Sequence, residues 1–144
     1  MKKRVITSTT AVLAILVGSV LSAPAVQSET TNWNVRTTFI SSGGRDVPLR
    51  YGDSTFGWKH MVSQGHASSS TYVWWTRQIE WVLKGPACRN AAVVGGKIRC
   101  QRTMDGNPDI LFTVVFTGRV DSRSRDGRPL GIITAYQNGV NCGC

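Results

Sequence analysis

Residues 68–86 read Ser68-Ser69-Ser70-Thr71-Tyr72-Val73-Trp74-Trp75-Thr76-Arg77-Gln78-Ile79-Glu80-Trp81-Val82-Leu83-Lys84-Gly85-Pro86. Tyr72, Trp75, Ile79, Val82 and Leu83 recur at helical spacing on one face, while Arg77, Gln78 and Glu80 mostly take the other. The serines supply a cap, Gly85-Pro86 supplies a stop, and Lys84 stands in the last turn. The stretch therefore predicts a helix that buries one face. Trp74 and Trp81 fall outside the apolar stripe, so either the helix is covered on two sides or part of it faces a ligand.

The period changes after Pro86. Segments 91–103, 109–120 and 129–136 are rich in Val, Ile, Thr and Phe and read as strands, the first interrupted by Gly95-Gly96. Turns are expected at 104–108, around Asp105-Gly106-Asn107-Pro108, and at 122–128, around Asp126-Gly127. Such short connections imply antiparallel pairing. Upstream, Asp53 or Ser54 offers an N-cap for a helix to about residue 64, which Gly65 would end in the left-handed conformation. Further upstream, 46–52 reads as extended, because Val47 precedes Pro48. Trp33, Val35, Thr37 and Phe39 alternate with polar neighbours, as in a short strand. The expected fold is α+β: two N-terminal helices packed on an antiparallel sheet of about four strands, stapled by disulfides.

The chain opens Met1-Lys2-Lys3-Arg4, continues mostly apolar from Ala11 to Leu21, and reaches Ala23-Pro24-Ala25. That order reads as a secretory signal peptide cleaved after Ala25, with Ser28 as second choice. Its apolar run is too short for a membrane span, so a secreted protein without stable membrane insertion is expected. The remainder divides into a polar N-terminal segment, 26–45, and a single α+β domain, 46–144.

Without Lys2, Lys3 and Arg4 the 17 basic residues fall to 14, against 8 acids, leaving a charge of +6. Eleven of the 14 are arginine, whose planar fork grips phosphate at two points. A surface of this kind suits nucleic acid, anionic cell-wall polymers or anionic membranes. Cys88, Cys100, Cys142 and Cys144 are an even set in an exported chain, which reads as two disulfides. A bridge within Cys142-Gly143-Cys144 would be strained, so the favoured pairing carries both C-terminal cysteines back to Cys88 and Cys100.

Both histidines lie in Phe56-Gly57-Trp58-Lys59-His60-Met61-Val62-Ser63-Gln64-Gly65-His66. In one unbroken helix a six-residue spacing would splay them by about 120°, so they can share a site only if Gly65 breaks the helix. Two imidazoles near neutral pH can act as general base and general acid. In RNA cleavage the base takes the 2′-hydroxyl proton and the acid protonates the departing 5′-oxygen. A cation such as Lys59 would stabilise the charge that builds on the phosphoryl oxygens. The eight acids are scattered, with no pair suggesting a two-metal nuclease or a glycosidase. Neither a Gly-x-Ser-x-Gly elbow nor a glycine-rich phosphate loop occurs. The expected chemistry uses no metal and no cofactor.

A histidine and lysine on an early helix, a second helix, and then a sheet whose last strand reads Gly131-Ile132-Ile133-Thr134-Ala135-Tyr136 together resemble the barnase–EndoU–colicin–RelE group of bacterial ribonuclease toxins. The resemblance spans about residues 45–137 and rests on Trp58-Lys59-His60 and on Thr134-x-Tyr136. It implies proton transfer by His60 and His66 and phosphate stabilisation by Lys59. It also implies a hydrogen bond from Thr134 to the scissile phosphate, with Tyr136 orienting that phosphate or stacking on a base. Arg119, Arg123, Arg125 and Arg128, with Trp58, are the expected RNA-binding set. The implied protein is a monomeric endoribonuclease toxin leaving a 2′,3′-cyclic phosphate. Its expected partners are an RNA substrate, with transfer RNA as one candidate, and a cognate inhibitor protein. Two other readings stand beside it. One is a non-catalytic cationic protein that binds cell wall, membrane or anionic polymer; the other is a secreted inhibitor displaying the loop between Cys88 and Cys100.

Overall fold

A computed structural model of the chain describes residues 31–138. The expected signal peptide and Cys142 and Cys144 lie outside them. The order is β1 (Val35–Ile40), β2 (Asp46–Arg50), α1 (Gly57–Ser63), α2 (Tyr72–Lys84), α3 (Pro86–Arg89), β3 (Val93–Val94), β4 (Lys97–Met104), β5 (Asn107–Val120) and β6 (Pro129–Asn138). The fold is α+β with two antiparallel sheets, a β1–β2 hairpin and a four-stranded meander in the order β3-β4-β5-β6. Thus β1 falls within the segment expected as a polar lead-in, and it pairs along the length of β2.

The stripe on α2 buries as its spacing dictates: Trp75, Ile79, Val82 and Leu83 are buried. They join one core with Ile98 and Cys100 of β4, Phe112, Val114 and Phe116 of β5, and Ile132 and Ala135 of β6. Ser68 caps the start of a short 3-10 turn, Ser69–Thr71, in a reciprocal capping box with Thr71. At the other end Gly85 takes an extended conformation and Pro86 opens the short α3, which the sequence did not announce. Cys88 of α3 is bridged to Cys100 of β4. This overturns the expected pairing of each with a C-terminal cysteine, since α3 brings together two sulfurs whose residues are 12 positions apart in sequence.

Two features aim the strands and helix that carry the histidine corner. The first is a bulge in β6: Thr134 pairs with Val115 and Ile132 with Phe116, leaving Ile133 as the extra residue. Ile132 and Ala135 thereby both reach the core, while Thr134 and Tyr136, opposite Val115 and Thr113, turn to the face away from α2. The second is the crossing of β2 over β6 at Gly131, where a Cβ would come within 2.0 Å of the Pro48 carbonyl oxygen. Only glycine permits that approach, and it presses β2 against the same strand that α1 contacts.

Candidate active site

α1 begins later than the sequence suggests. Its N-cap is Phe56 rather than Asp53 or Ser54, because Asp53 is engaged in a local turn. The Asp53 carboxylate accepts hydrogen bonds from the Thr55 N–H at 2.7 Å and the Thr55 hydroxyl at 2.6 Å. The helix end is as expected. Gly65 has φ +72, its N–H donates to the Val62 carbonyl, and the His66 N–H donates to the Met61 carbonyl. These two bonds are the Schellman arrangement, which reverses the chain just after the last helical turn. His66 therefore leaves the direction an unbroken helix would give it.

That reversal brings His66 to β6. Its ring lies 5.5 Å, centroid to centroid, from the ring of Tyr136. Burial, and then the positive charge of nearby His60, hold the His66 imidazole below its ordinary pKa, so the neutral form is favoured. His60 is half-buried, and its Nδ1 lies 2.7 Å from the Ser54 carbonyl oxygen. A carbonyl can only accept, so Nδ1 carries the proton and Nε2 is the nitrogen left for other work. Lys59, exposed beside it, donates from Nζ to Asn32 Oδ1 at 2.7 Å. The Thr134 hydroxyl is buried with no hydrogen-bond partner among the described residues. His66 thus meets Tyr136 beside β6, within reach of the His60 charge, and Thr134 lies on the same strand face as Tyr136.

The expected RNA-binding set divides. Trp58 is 4% exposed, packs edge-on to Tyr72, and belongs to the core, so it presents no face to a base. Arg128 is paired with Asp46 at 2.6 Å and donates to Thr38 as well. Arg123 makes a two-point contact with Asp121, at 3.0 and 2.8 Å, and its guanidinium lies over the Trp33 ring. Arg125 is exposed at the end of a 3-10 turn, in the left-handed conformation at φ 57. Arg119 is held only loosely, 3.7 Å from Asp121 with its side chain 70% exposed.

Arg119 and Arg123 also line a cavity of about 330 Å³ that the sequence did not reveal. The Trp33–Phe56–Leu130 cluster underlies it, Lys97 contributes a third cation, and Asp53 contributes a carboxylate. Thr55, next after the Ser54 whose carbonyl holds His60, lines it too. The signals for it were separated in sequence, with Trp33 before β1 and Lys97 after the Gly95-Gly96 turn.

Among the described residues no cluster of three His, Cys, Asp or Glu side chains could hold a metal ion, and no helix is long and apolar enough to cross a membrane. Comparison with protein-family models, with curated proteins and with solved structures found no match to this chain.

Proposed function

We propose that this chain is an exported, metal-independent endoribonuclease of the toxin type. The observation that supports it most is the reversal at Gly65, which lets two imidazoles share one corner with Tyr136. His66, favoured in its neutral form, is the general base and takes the proton of the 2′-hydroxyl. The 2′-oxygen attacks phosphorus, the bond to the 5′-oxygen breaks, and His60, as the imidazolium with its Nδ1 proton kept on the Ser54 carbonyl, gives its Nε2 proton to that oxygen. The products are a 2′,3′-cyclic phosphate and a 5′-hydroxyl end. Lys59 offsets the charge that develops on the phosphoryl oxygens. Thr134 donates to the same phosphate once the side chains covering its hydroxyl shift, a move favoured by the hydrogen bond it otherwise lacks.

Phosphates beyond the scissile one follow Lys97 and Arg119 into the cavity beside Phe56, contacts that give affinity without reading sequence. An exported ribonuclease meets its target only after entry into another cell, and a cognate inhibitor would protect the producer. The test is total RNA with the oxidised protein in excess chelator, beside His60→Ala and His66→Ala. Cleavage by the parent should fall by about 10²- to 10⁴-fold in each variant, with the fold unchanged by circular dichroism. Intact RNA from folded parent protein, with binding that weakens steeply with salt, would instead favour the non-catalytic cationic binder.

A further inference from the structure

Trp74 is the aromatic residue that the α2 stripe leaves over, and it is 44% exposed. It is not a loose surface side chain. Its ring stands edge-on to Trp75 at 5.0 Å and lies 5.8 Å from Phe112, so its orientation is set by the core beneath it. Trp81, the other residue outside the stripe, differs: the Arg102 guanidinium covers its ring at 4.1 Å. Trp74 therefore keeps an open aromatic surface at little further ordering cost.

That surface borders a depression of about 310 Å³ between α2 and β6, whose wall also includes His66 and Gln137. The volume is at the small end for ligand pockets, enough for one ring system and too small for a folded partner. Most polar groups at its rim are already engaged. Ser68 and Thr71 bond one another in the capping box that starts the 3-10 turn. The side-chain amide of Gln137 makes no hydrogen bond among the described residues, and it offers both a donor and an acceptor. An aromatic surface, an unengaged amide and an imidazole of the proposed catalytic pair thus meet in one small depression.

We infer that the Trp74–Gln137 depression is a nucleobase subsite, holding the base of a nucleotide adjoining the scissile phosphate, stacked on Trp74 with its edge on the Gln137 amide. The inference rests on the ribonuclease reading for the identity of the ligand. Stacking on an aromatic side chain contributes affinity whatever the base, and the amide contributes preference among bases.

The experiment separates the subsite from the chemistry by using substrates that cannot be cleaved. Affinities of the full oxidised chain for 2′-deoxy dinucleoside phosphates of all four bases are measured by calorimetry. The proteins compared are the parent, Trp74→Leu, Trp74→Phe and Gln137→Ala. Trp74→Leu keeps apolar bulk over Trp75 and should weaken binding on the order of tenfold, whereas Trp74→Phe should keep most of it. Gln137→Ala should narrow the differences among bases. Loss of binding in Trp74→Leu from a protein that cuts no RNA would leave the subsite standing and remove the catalytic reading alone. Equal affinity in folded Trp74→Leu and parent, or no binding by the parent, overturns the subsite. So does a change of oligomeric state in Trp74→Leu with base binding unaltered, which would make the patch a contact between copies.

Discussion

The turn between β5 and β6 and the corner between α1 and β6 both looked functional in sequence, one from its arginines and the other from its histidines. In the structure they are opposites. The turn is fastened. Arg50 of β2, with no exposed surface, donates to both Asp126 carboxylate oxygens at 2.9 and 3.0 Å and to the carbonyls of Trp33, Arg128 and Pro129. Arg128 is tied to Asp46 and Arg123 to Asp121. The corner leaves groups open, with a half-buried His66 beside Tyr136, His60 Nε2 free of the bond made by Nδ1, and a hydroxyl without a partner. Cations already matched by carboxylates hold a fold together. A buried hydroxyl without a partner has a hydrogen bond still to make.

Changes in the two regions should therefore have opposite consequences. The largest effect expected is loss of RNA cleavage in His66→Ala, by at least about 100-fold, with thermal stability little altered. Asp126→Asn should do the reverse. It leaves the Arg50 guanidinium buried without its counter-charge, a loss of about 3 kcal/mol by analogy with other broken buried pairs. At a temperature where the variant is still folded, its cleavage rate should stay within about twofold, the spread usual for individual contributions. If Asp126→Asn silenced cleavage at full stability, the division between the two regions would be wrong.

Thr134→Val makes a finer cut. Replacing an unsatisfied buried hydroxyl by a methyl of similar shape should leave stability unchanged or raise it by up to about 1 kcal/mol. If Thr134 contacts phosphate, cleavage should still fall about tenfold, the equivalent of one hydrogen bond to a charged group. The smallest effect concerns the coupling of the imidazoles. The charge on His60 opposes protonation of His66, so His60→Gln should raise the His66 titration midpoint, read from its ring proton resonances. A midpoint that stays or falls would mean the two rings do not sense each other.

Much of the fold was legible because its cues are local. The five-residue stripe from Tyr72 to Leu83 set α2, and β-branched runs between turn residues set β4, β5 and β6. The Gly65 stop was readable because glycine takes the left-handed conformation at a helix end, here φ +72, without the strain a Cβ brings. The failures involve partners distant in sequence. The composition of 119–128 does not disclose that Arg50, 76 residues before Asp126, would claim its carboxylate. Trp58 was grouped with the RNA-binding residues because nothing near it in sequence shows that Tyr72 and the core cover it. The cysteine pairing missed for a similar reason: it depends on α3, a helix of four residues with no periodic signal. At the candidate site the sequence pointed to His60, His66, Thr134 and Tyr136 by residue type alone. The common face of Thr134 and Tyr136 follows the bulge at Ile133, which composition does not encode.

The most direct test is end-group analysis on a short defined RNA in excess chelator, beside the same RNA carrying a single 2′-deoxy nucleotide at the cleaved position. The predicted result is a 2′,3′-cyclic phosphate and a 5′-hydroxyl from the first, absent with His66→Ala, and no cleavage at that position in the second. Cleavage that survives the 2′-deoxy substitution, or that leaves a 3′-hydroxyl and a 5′-phosphate, would contradict the two-imidazole mechanism.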